Sequence, residues 1–374
     1  MWISSEQIYK IAGYKFNLNS TQQLSKVLFE TLKLEPPGRK KTASGFYSTS
    51  ASVLEDLRGE NPIVDLVLEY RELSKLQSTY VDTLPQQINP ITGRVHTSYS
   101  QTGSVTGRLA SSNPNLQNIP TRTEIGQQVR HGFIADPKNV LLSTDYSQIE
   151  LRIVAHMSQD KAMLEAFRRG QDIHAATAAA VANIDIAQVT KDQRRHAKAI
   201  NFGLIYGMSP YGLVRATDLT LGEAEDFVHA YFEKFPGVKK YLDDIRRKAA
   251  EQGYVETLLG RRRYFPNLHS RTNATQRNRE EREAVNAPIQ GTAADIIKIA
   301  MIRLPSTLKQ KGLKAKLLLQ VHDELILECP QTEMMDTAVT VRDVMENAFK
   351  LSIPLATDTR WGKNWGEMEP VNFS

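Results

Sequence analysis

Asp323 lies in the segment KAKLLLQVHDELILEC (Lys314–Cys329), where apolar runs flank a polar His322-Asp323-Glu324 centre. Two strands of a hairpin would carry these three side chains to the tight turn between them. A second apolar run, Val140–Thr144, ends in Asp145, where a strand gives way to a helix beginning near Ile149. Carboxylates at two strand ends can converge to hold a pair of divalent ions, an arrangement suited to displacements in which charge develops on attacking and leaving oxygens. Taken singly, each segment reads just as well as an ordinary turn beside a strand.

A second pattern narrows the chemistry. In RRHAKAINFGLIY, Arg194, Lys198, Phe202 and Tyr206 recur every four residues. Four-residue steps drift by only about 40° on a helix, so these side chains form one slowly winding stripe. A core stripe does not begin with two cations, and a solvated face does not run on into two aromatic rings. The stripe suits a helix lying along a nucleoside triphosphate, cations toward the phosphates and Phe202 against sugar or base. Gly203 and Gly207 would then permit close approach. Phosphoryl transfer asks for little covalent chemistry from protein but for much charge neutralisation, which the two aspartates with their metals and the two cations would supply.

The elements that must position these groups can be read coarsely. With 374 residues, 41% hydrophobic and 24% charged, the chain is an ordinary globular protein of two or three subdomains. Its net charge of +5 is clustered, at Arg39–Lys41, Arg168-Arg169, Arg194-Arg195, Arg261–Arg263 and Arg271–Arg282. Such clusters suit a polyanion, although the first two serve equally as solvated faces. One cysteine, Cys329, excludes an internal disulfide framework and any cysteine-based zinc site. No amino-terminal leader pattern and no run of 18 apolar residues is present, so a cytoplasmic protein without a membrane partner is expected. Residues 1–85 read as helical, with an amphipathic helix over Ser20–Leu34 and two more over Val53–Leu84, one starting at Asn61-Pro62. Ile88–Ile134 is rich in Gly, Ser, Thr and Asn, and predicts short strands with little helix. Gln148–Gln252 reads as mainly helical, and Tyr254–Phe265 as a hairpin around Gly260. A long helix is expected from Asn273 to Leu304, interrupted near Pro288, before the hairpin at Asp323.

In order and spacing, DYSQIELR (Asp145–Arg152), RxxxKxxxFxxxYG (Arg194–Gly207) and VHDE (Val321–Glu324) resemble the three signature motifs of family A DNA polymerases, the bacterial DNA polymerase I type. TGRLASSNPNLQNIP (Thr106–Pro120), DIHAATA (Asp172–Ala178), GYVETLLGRRR (Gly253–Arg263) and NAPIQGTAADIIK (Asn286–Lys298) extend the resemblance over nearly the whole chain.

The resemblance implies an α+β fold with right-hand polymerase architecture: an antiparallel palm sheet, helical fingers and a partial helical thumb. It divides the chain into thumb (1–85), palm (86–150 and 284–374) and fingers (151–283). It implies primer-template DNA and deoxynucleoside triphosphates as partners of a monomer, and two magnesium ions, replaceable by manganese, as cofactors. Asp145 and Asp323 would ligate these ions with the Tyr146 carbonyl, Glu324 would support them, and Lys198 would complete the catalytic set. Arg194, Lys198, His174 and Gln148 would bind the nucleotide's phosphates and sugar, with Phe202 packed on sugar and base. Glu150, held by Tyr206, would exclude a 2′-hydroxyl. Arg108 and Gln290 would read the minor groove at the primer terminus. Gln117, Asn118, Arg282, Asn286 and His322 would contact template and primer.

The pattern departs from the family in two places. No stretch is available for an amino-terminal nuclease or a 3′–5′ exonuclease-like domain, so no proofreading is expected. The thumb begins partway through, near Ile8–Phe16. Three rivals keep part of the pattern: a two-metal nuclease leaves Arg194–Tyr206 unexplained, a single-subunit RNA polymerase conflicts with Glu150, and a nucleic-acid-binding module without catalysis does not need the carboxylates.

Overall fold

In the computed structural model the described residues are 2–38, 40–120, 123–268 and 273–373, with backbone alone for residues 2–4. Arg39 and Arg271, members of two of the basic clusters, lie outside them. The chain forms two compact units, Met1–His96 and Thr97–Ser374.

The first unit is helical. It contains α1 (Trp2–Ala12), α2 (Thr21–Ser25), α3 (Ala51–Asp56) and α4 (Pro62–Leu76). Ser20 caps α2 by accepting from the Gln23 amide, and Asn61 caps α4 by accepting from Ile63, with Pro62 at the first helical position, where no amide donor is needed. Both helices run on into wider π-helical turns, Lys26–Thr31 and Gln77–Val81. Ile8, Leu24, Val27, Leu28, Leu54, Ile63, Val64 and Val67 build the core of this unit.

The second unit combines helices with antiparallel sheet. A small hairpin, β1 (Ser98–Ser100) with β2 (Ala110–Ser112), precedes α5 (Glu124–His131). That helix corrects the expectation of little helix before Ile134. It is only 8 residues long, carries a glycine, and depends on the Thr123 side chain accepting from the Gly126 amide, so it has no long apolar period to betray it. Strand β3 (Asn139–Tyr146) then leads into a run of helices: α6 (Ile149–Ser158), α7 (Lys161–Arg168), α8 (Ile173–Ala182), α9 (Lys191–Ile205), α10 (Pro210–Ala216), α11 (Leu221–Lys234) and α12 (Pro236–Gln252). The hairpin β4 (Tyr254–Glu256) with β5 (Arg262–Tyr264) turns at Gly260 as expected.

Helix α13 (Ala274–Gln310) is continuous for 37 residues and contains both Pro288 and Pro305. The expected interruption at Pro288 is therefore absent. An internal proline costs about 3 kcal/mol. Around Pro288 the helix is buried on all sides, every residue from Ala284 to Ile289 and from Gly291 to Ile297 being buried, and packing of that extent offsets the lost hydrogen bond.

The hairpin β6 (Lys316–Val321) with β7 (Glu324–Pro330), helix α14 (Met334–Glu346) and strands β8 (Thr357–Gly362) and β9 (Glu369–Pro370) complete the chain. The large sheet has the order β6-β7-β3-β8-β9, every pair antiparallel. Strand β3 is central, and its Val140, Leu141 and Leu142 are buried, as a strand covered on both faces requires. Helices α6, α13 and α14 share the core of this unit with β3 and β7.

Candidate active site

The register of the sheet sets the first cluster. Asp145 pairs with Glu324 on β7 and with Asp358 on β8. Residues directly opposite in antiparallel strands project to the same face, so one row across the sheet carries three carboxyl groups. Asp323, in the β6–β7 turn, joins them: its carbonyl accepts the Tyr146 amide at 3.2 Å, and its carboxyl group lies beside that of Asp145. The turn is tight, with His322 in left-handed backbone at φ 57°.

Removal from bulk water, then the Asp323 and Glu324 charges, pushes the Asp145 carboxyl well above the usual carboxylate range. Asp145 is itself open to solvent, which moderates the part due to lost hydration, so the direction rests on the facing acids. Asp323 is half-buried and is raised as well, chiefly by burial. Charge on each of Asp145 and Asp323 disfavours charge on the other, and a bound cation would relieve that repulsion. Glu324 is held aside: its Oε1 accepts from the Ser143 hydroxyl and from Trp365 Nε1 at 3.3 Å. The Arg130 guanidinium stacks 4.1 Å from the Trp365 ring.

Among the described residues no three His, Cys, Asp or Glu side chains are arranged to enclose an ion by themselves. Two carboxylates with a neighbouring main-chain carbonyl instead fit hard oxygen-seeking ions such as magnesium, which keep open positions for water and phosphate oxygens.

The strand-to-helix turn after Asp145 is braced by main chain and side chain together. The Ser147 amide donates to the Ala356 carbonyl at 2.8 Å, its hydroxyl to Asp358 Oδ2 at 2.5 Å, and its carbonyl accepts from Arg152 Nε at 2.9 Å. Gln148, exposed and left-handed at φ 48°, opens α6. This geometry buries Glu150 in the first turn of α6, at 7% exposure. Its two oxygens are both used, Oε2 by the Tyr206 hydroxyl and Oε1 by Arg108 Nη2, each at 2.8 Å. The Tyr206 bond is the one expected. The Arg108 ion pair is not, and it joins a residue assigned to the primer terminus with the residue assigned to the sugar.

Helix α9 starts at a capping box in which Thr190 accepts the Gln193 amide and Gln193 accepts the Thr190 amide. Ala197, Ile200, Asn201, Leu204 and Ile205 face the core. Arg194, Lys198 and Tyr206 remain exposed and Phe202 half-buried, along the expected stripe. His174 on α8 packs beside it, its ring centroid 5.7 Å from that of Phe202. His174 is buried at 2% exposure; burial and the nearby Arg194 and Lys198 charges, opposed by Asp172, lower it to about 4. Asn201 Nδ2 donates to His174 Nδ1 at 3.1 Å, which leaves the proton of the neutral ring on Nε2. Gly203 and Gly207 do allow close approach, but by the chain itself: Leu213 and Met208 crowd the first, and Arg282, through its Cα and the base of its side chain, the second.

The remaining residues divide. Gln117 is committed to structure, accepting from the Ser111 amide and donating to Gln320. Arg282 and His322 are exposed, Asn118 is exposed in its loop, and Gln290 is half-buried on α13. Asn286 is buried, and its Nδ2 finds no hydrogen-bond partner among the described residues. Asp358 and Asp172 were given no role of their own from the sequence. Asp358 had one signal, its place as second residue of the run TDTRW (Thr357–Trp361), which lies in β8.

The model of DNA polymerase family A matches residues 3–367. DNA polymerase I of Chloroflexus aurantiacus is 48% identical over 369 residues, 98% of this chain and 39% of the relative. The thermostable DNA polymerase I of Thermus filiformis is 49% identical over 361 residues, covering 96% and 43%. DNA polymerase I of Geobacillus stearothermophilus is 50% identical over 360 residues, covering 96% and 41%. The chain thus spans about two-fifths of the length of these curated relatives. The solved POL domain of Pol1 from M. smegmatis, in complex with DNA primer-template and dNTP, is similar with a TM-score of 0.91 and 42% identity, over 98% of this chain and 64% of that one. On the motifs, the fold and these matches together, the chain belongs to family A of the DNA polymerases.

Proposed function

We propose that this chain is a template-directed DNA polymerase that adds deoxynucleotides to a primer 3′ end by nucleotidyl transfer assisted by two magnesium ions, with manganese able to replace them. The observation that carries the reading is the meeting of Asp145 and Asp323 at the end of β3, in electrostatic reach of the Glu150–Tyr206–Arg108 group.

Bound magnesium would polarise the primer hydroxyl and neutralise charge on the phosphates. Asp145, Asp323 and the Tyr146 carbonyl would hold it. Arg194 and Lys198 would bind the triphosphate as cations, and neutral His174 would donate from Nε2. The buried Glu150 would occupy the space a 2′-hydroxyl needs, while Phe202 packs on sugar and base. The orphan donor of Asn286, with Gln290, Arg108, Arg282, Asn118 and His322, supplies polar groups for primer and template. Residues 1–85 would act as thumb, 86–150 and 284–374 as palm, and 151–283 as fingers of a right hand acting as a monomer.

Primer extension by this chain, with four deoxynucleotides and magnesium, tests the reading. Template-dependent elongation is expected, and a mismatched 3′ end should stay intact without nucleotides. No elongation in magnesium or manganese, or steady trimming from the 3′ end, would overturn it.

A further inference from the structure

Arg194, exposed on α9, is already paired. Its Nε and Nη2 both donate to Asp172 Oδ2, at 3.0 and 2.6 Å. The other oxygen of the same carboxylate, Oδ1, accepts the His174 and Ala175 amides, both at 2.9 Å, and so caps α8. One side chain thus connects the cation on α9 to the helix start that places His174. An acid among groups that would receive a triphosphate looks adverse, and a role in orientation accounts for it.

A guanidinium is planar and offers its donors in a rigid fork. A partner on its Nε–Nη2 edge therefore fixes where the Nη1–Nη2 edge points, and that second edge is the one able to grip phosphate with two parallel bonds. The carboxylate is satisfied by two amides and a guanidinium, which blunts its repulsion of an arriving anion. Side-chain exposures of 44% for Arg194 and 40% for Asp172 make this pair a weak source of fold stability, so its worth lies in direction.

We propose that Asp172 is a positioning residue for nucleotide binding: it aims the Arg194 guanidinium at the triphosphate and ties that aim to the helix start carrying His174. This rests on the reading of α9 as the triphosphate-binding helix.

The test is a double-mutant cycle in primer extension, with nucleotide KM and kcat measured separately. Asp172→Asn and Asp172→Ser both keep an N-cap; the first loses the charge and the second also loses the reach to Arg194. Each should raise nucleotide KM by roughly three- to tenfold with kcat within about twofold. Combined with Arg194→Ala, neither should raise KM beyond the arginine variant alone, because its target is gone. Melting temperatures of the Asp172 variants should match the parent. A KM that is unchanged or lowered by Asp172→Ser, or one that multiplies the Arg194→Ala effect, overturns the proposal and leaves the triphosphate reading intact. Arg194→Ala with parental KM removes that reading, and the proposal with it.

Discussion

Arg108 and Glu150 form an ion pair of 2.8 Å in which the carboxylate side chain is 9% exposed and the guanidinium 35% exposed. Glu150 is thereby braced twice, by a cation on one oxygen and by the Tyr206 hydroxyl on the other. A carboxylate fixed in this way resists displacement by a sugar hydroxyl, whereas one with a single brace can swing. Glu150→Ala should relax discrimination against ribonucleotides by more than tenfold. Arg108→Ala and Tyr206→Phe should each relax it by a smaller factor. The ratio of kcat/KM for a ribonucleotide and its deoxynucleotide on one template measures this. Parental discrimination in Glu150→Ala would place the sugar elsewhere.

In the proposed mechanism Asp145 and Asp323 would need their full charge to hold cations against a reacting phosphate. Asp145→Asn or Asp323→Asn should reduce extension by more than a hundredfold, a barrier increase of about 2.7 kcal/mol or more. Duplex binding should persist, since it draws on phosphate contacts at other residues. Extension rates beside a filter or anisotropy binding assay separate the two effects, and a variant retaining more than about a hundredth of the parental rate contradicts the assignment.

The two aspartates were legible because each ends an apolar run, a pattern local in sequence. The α9 stripe was legible for the same reason, its period being visible between Arg194 on the helix and Tyr206 at its C-cap. Asp358 was not, because its place beside Asp145 follows from a strand register joining distant parts of the chain. Asp172 was quoted within a motif, yet nothing in its neighbourhood shows that its second oxygen reaches Arg194 across two helices. Pro288 misled in the opposite direction, since a local helix-breaking rule yields to burial that only the folded chain reveals.

His174 gives a pH signature with a definite sign. Its folded value, about 4, lies below the ordinary 6.5. Between those values the unfolded chain takes up a proton that the folded chain refuses, so stability is lost as pH falls through that window. From pH 7 to pH 5 this group alone should remove roughly 2 kcal/mol. His174→Gln keeps an acceptor for Asn201 and cannot titrate, so its melting temperature should fall less over the same interval than the parent's. Thermal melts at several pH values check it, and parallel curves for the two proteins would show that His174 does not titrate as described.

Phe202 ends the half-buried part of the cationic stripe and has no polar atom. A tyrosine there would bring a hydroxyl toward the space assigned to the nucleotide's sugar and phosphates, where it can replace the 3′-hydroxyl missing from a dideoxynucleotide. Phe202→Tyr should therefore admit dideoxynucleotides at least tenfold more readily relative to normal nucleotides. Competition of the two on one template reads the ratio directly.

Gly107 precedes Arg108 and is held at φ +80°, a conformation that L side chains rarely adopt. A Cβ at this position would lie 2.5 Å from Arg261 Nε. That guanidinium is not free to retreat: Nε and Nη2 donate to the buried Asp295 at 2.9 and 2.7 Å, and Asp295 also accepts from the Thr257 hydroxyl at 2.8 Å. Gly107→Ala strains a positive-φ backbone whatever the space and also presses on the Arg261–Asp295 pair; relief of that strain by a backbone shift would carry Arg108, the next residue, away from Glu150. The variant should lose about 1–3 kcal/mol of stability and relax ribonucleotide discrimination in the same direction as Arg108→Ala. A calorimetric melt and the same kcat/KM ratio test both halves, and a stable variant with parental discrimination would mean that the Gly107 turn does not set the position of Arg108.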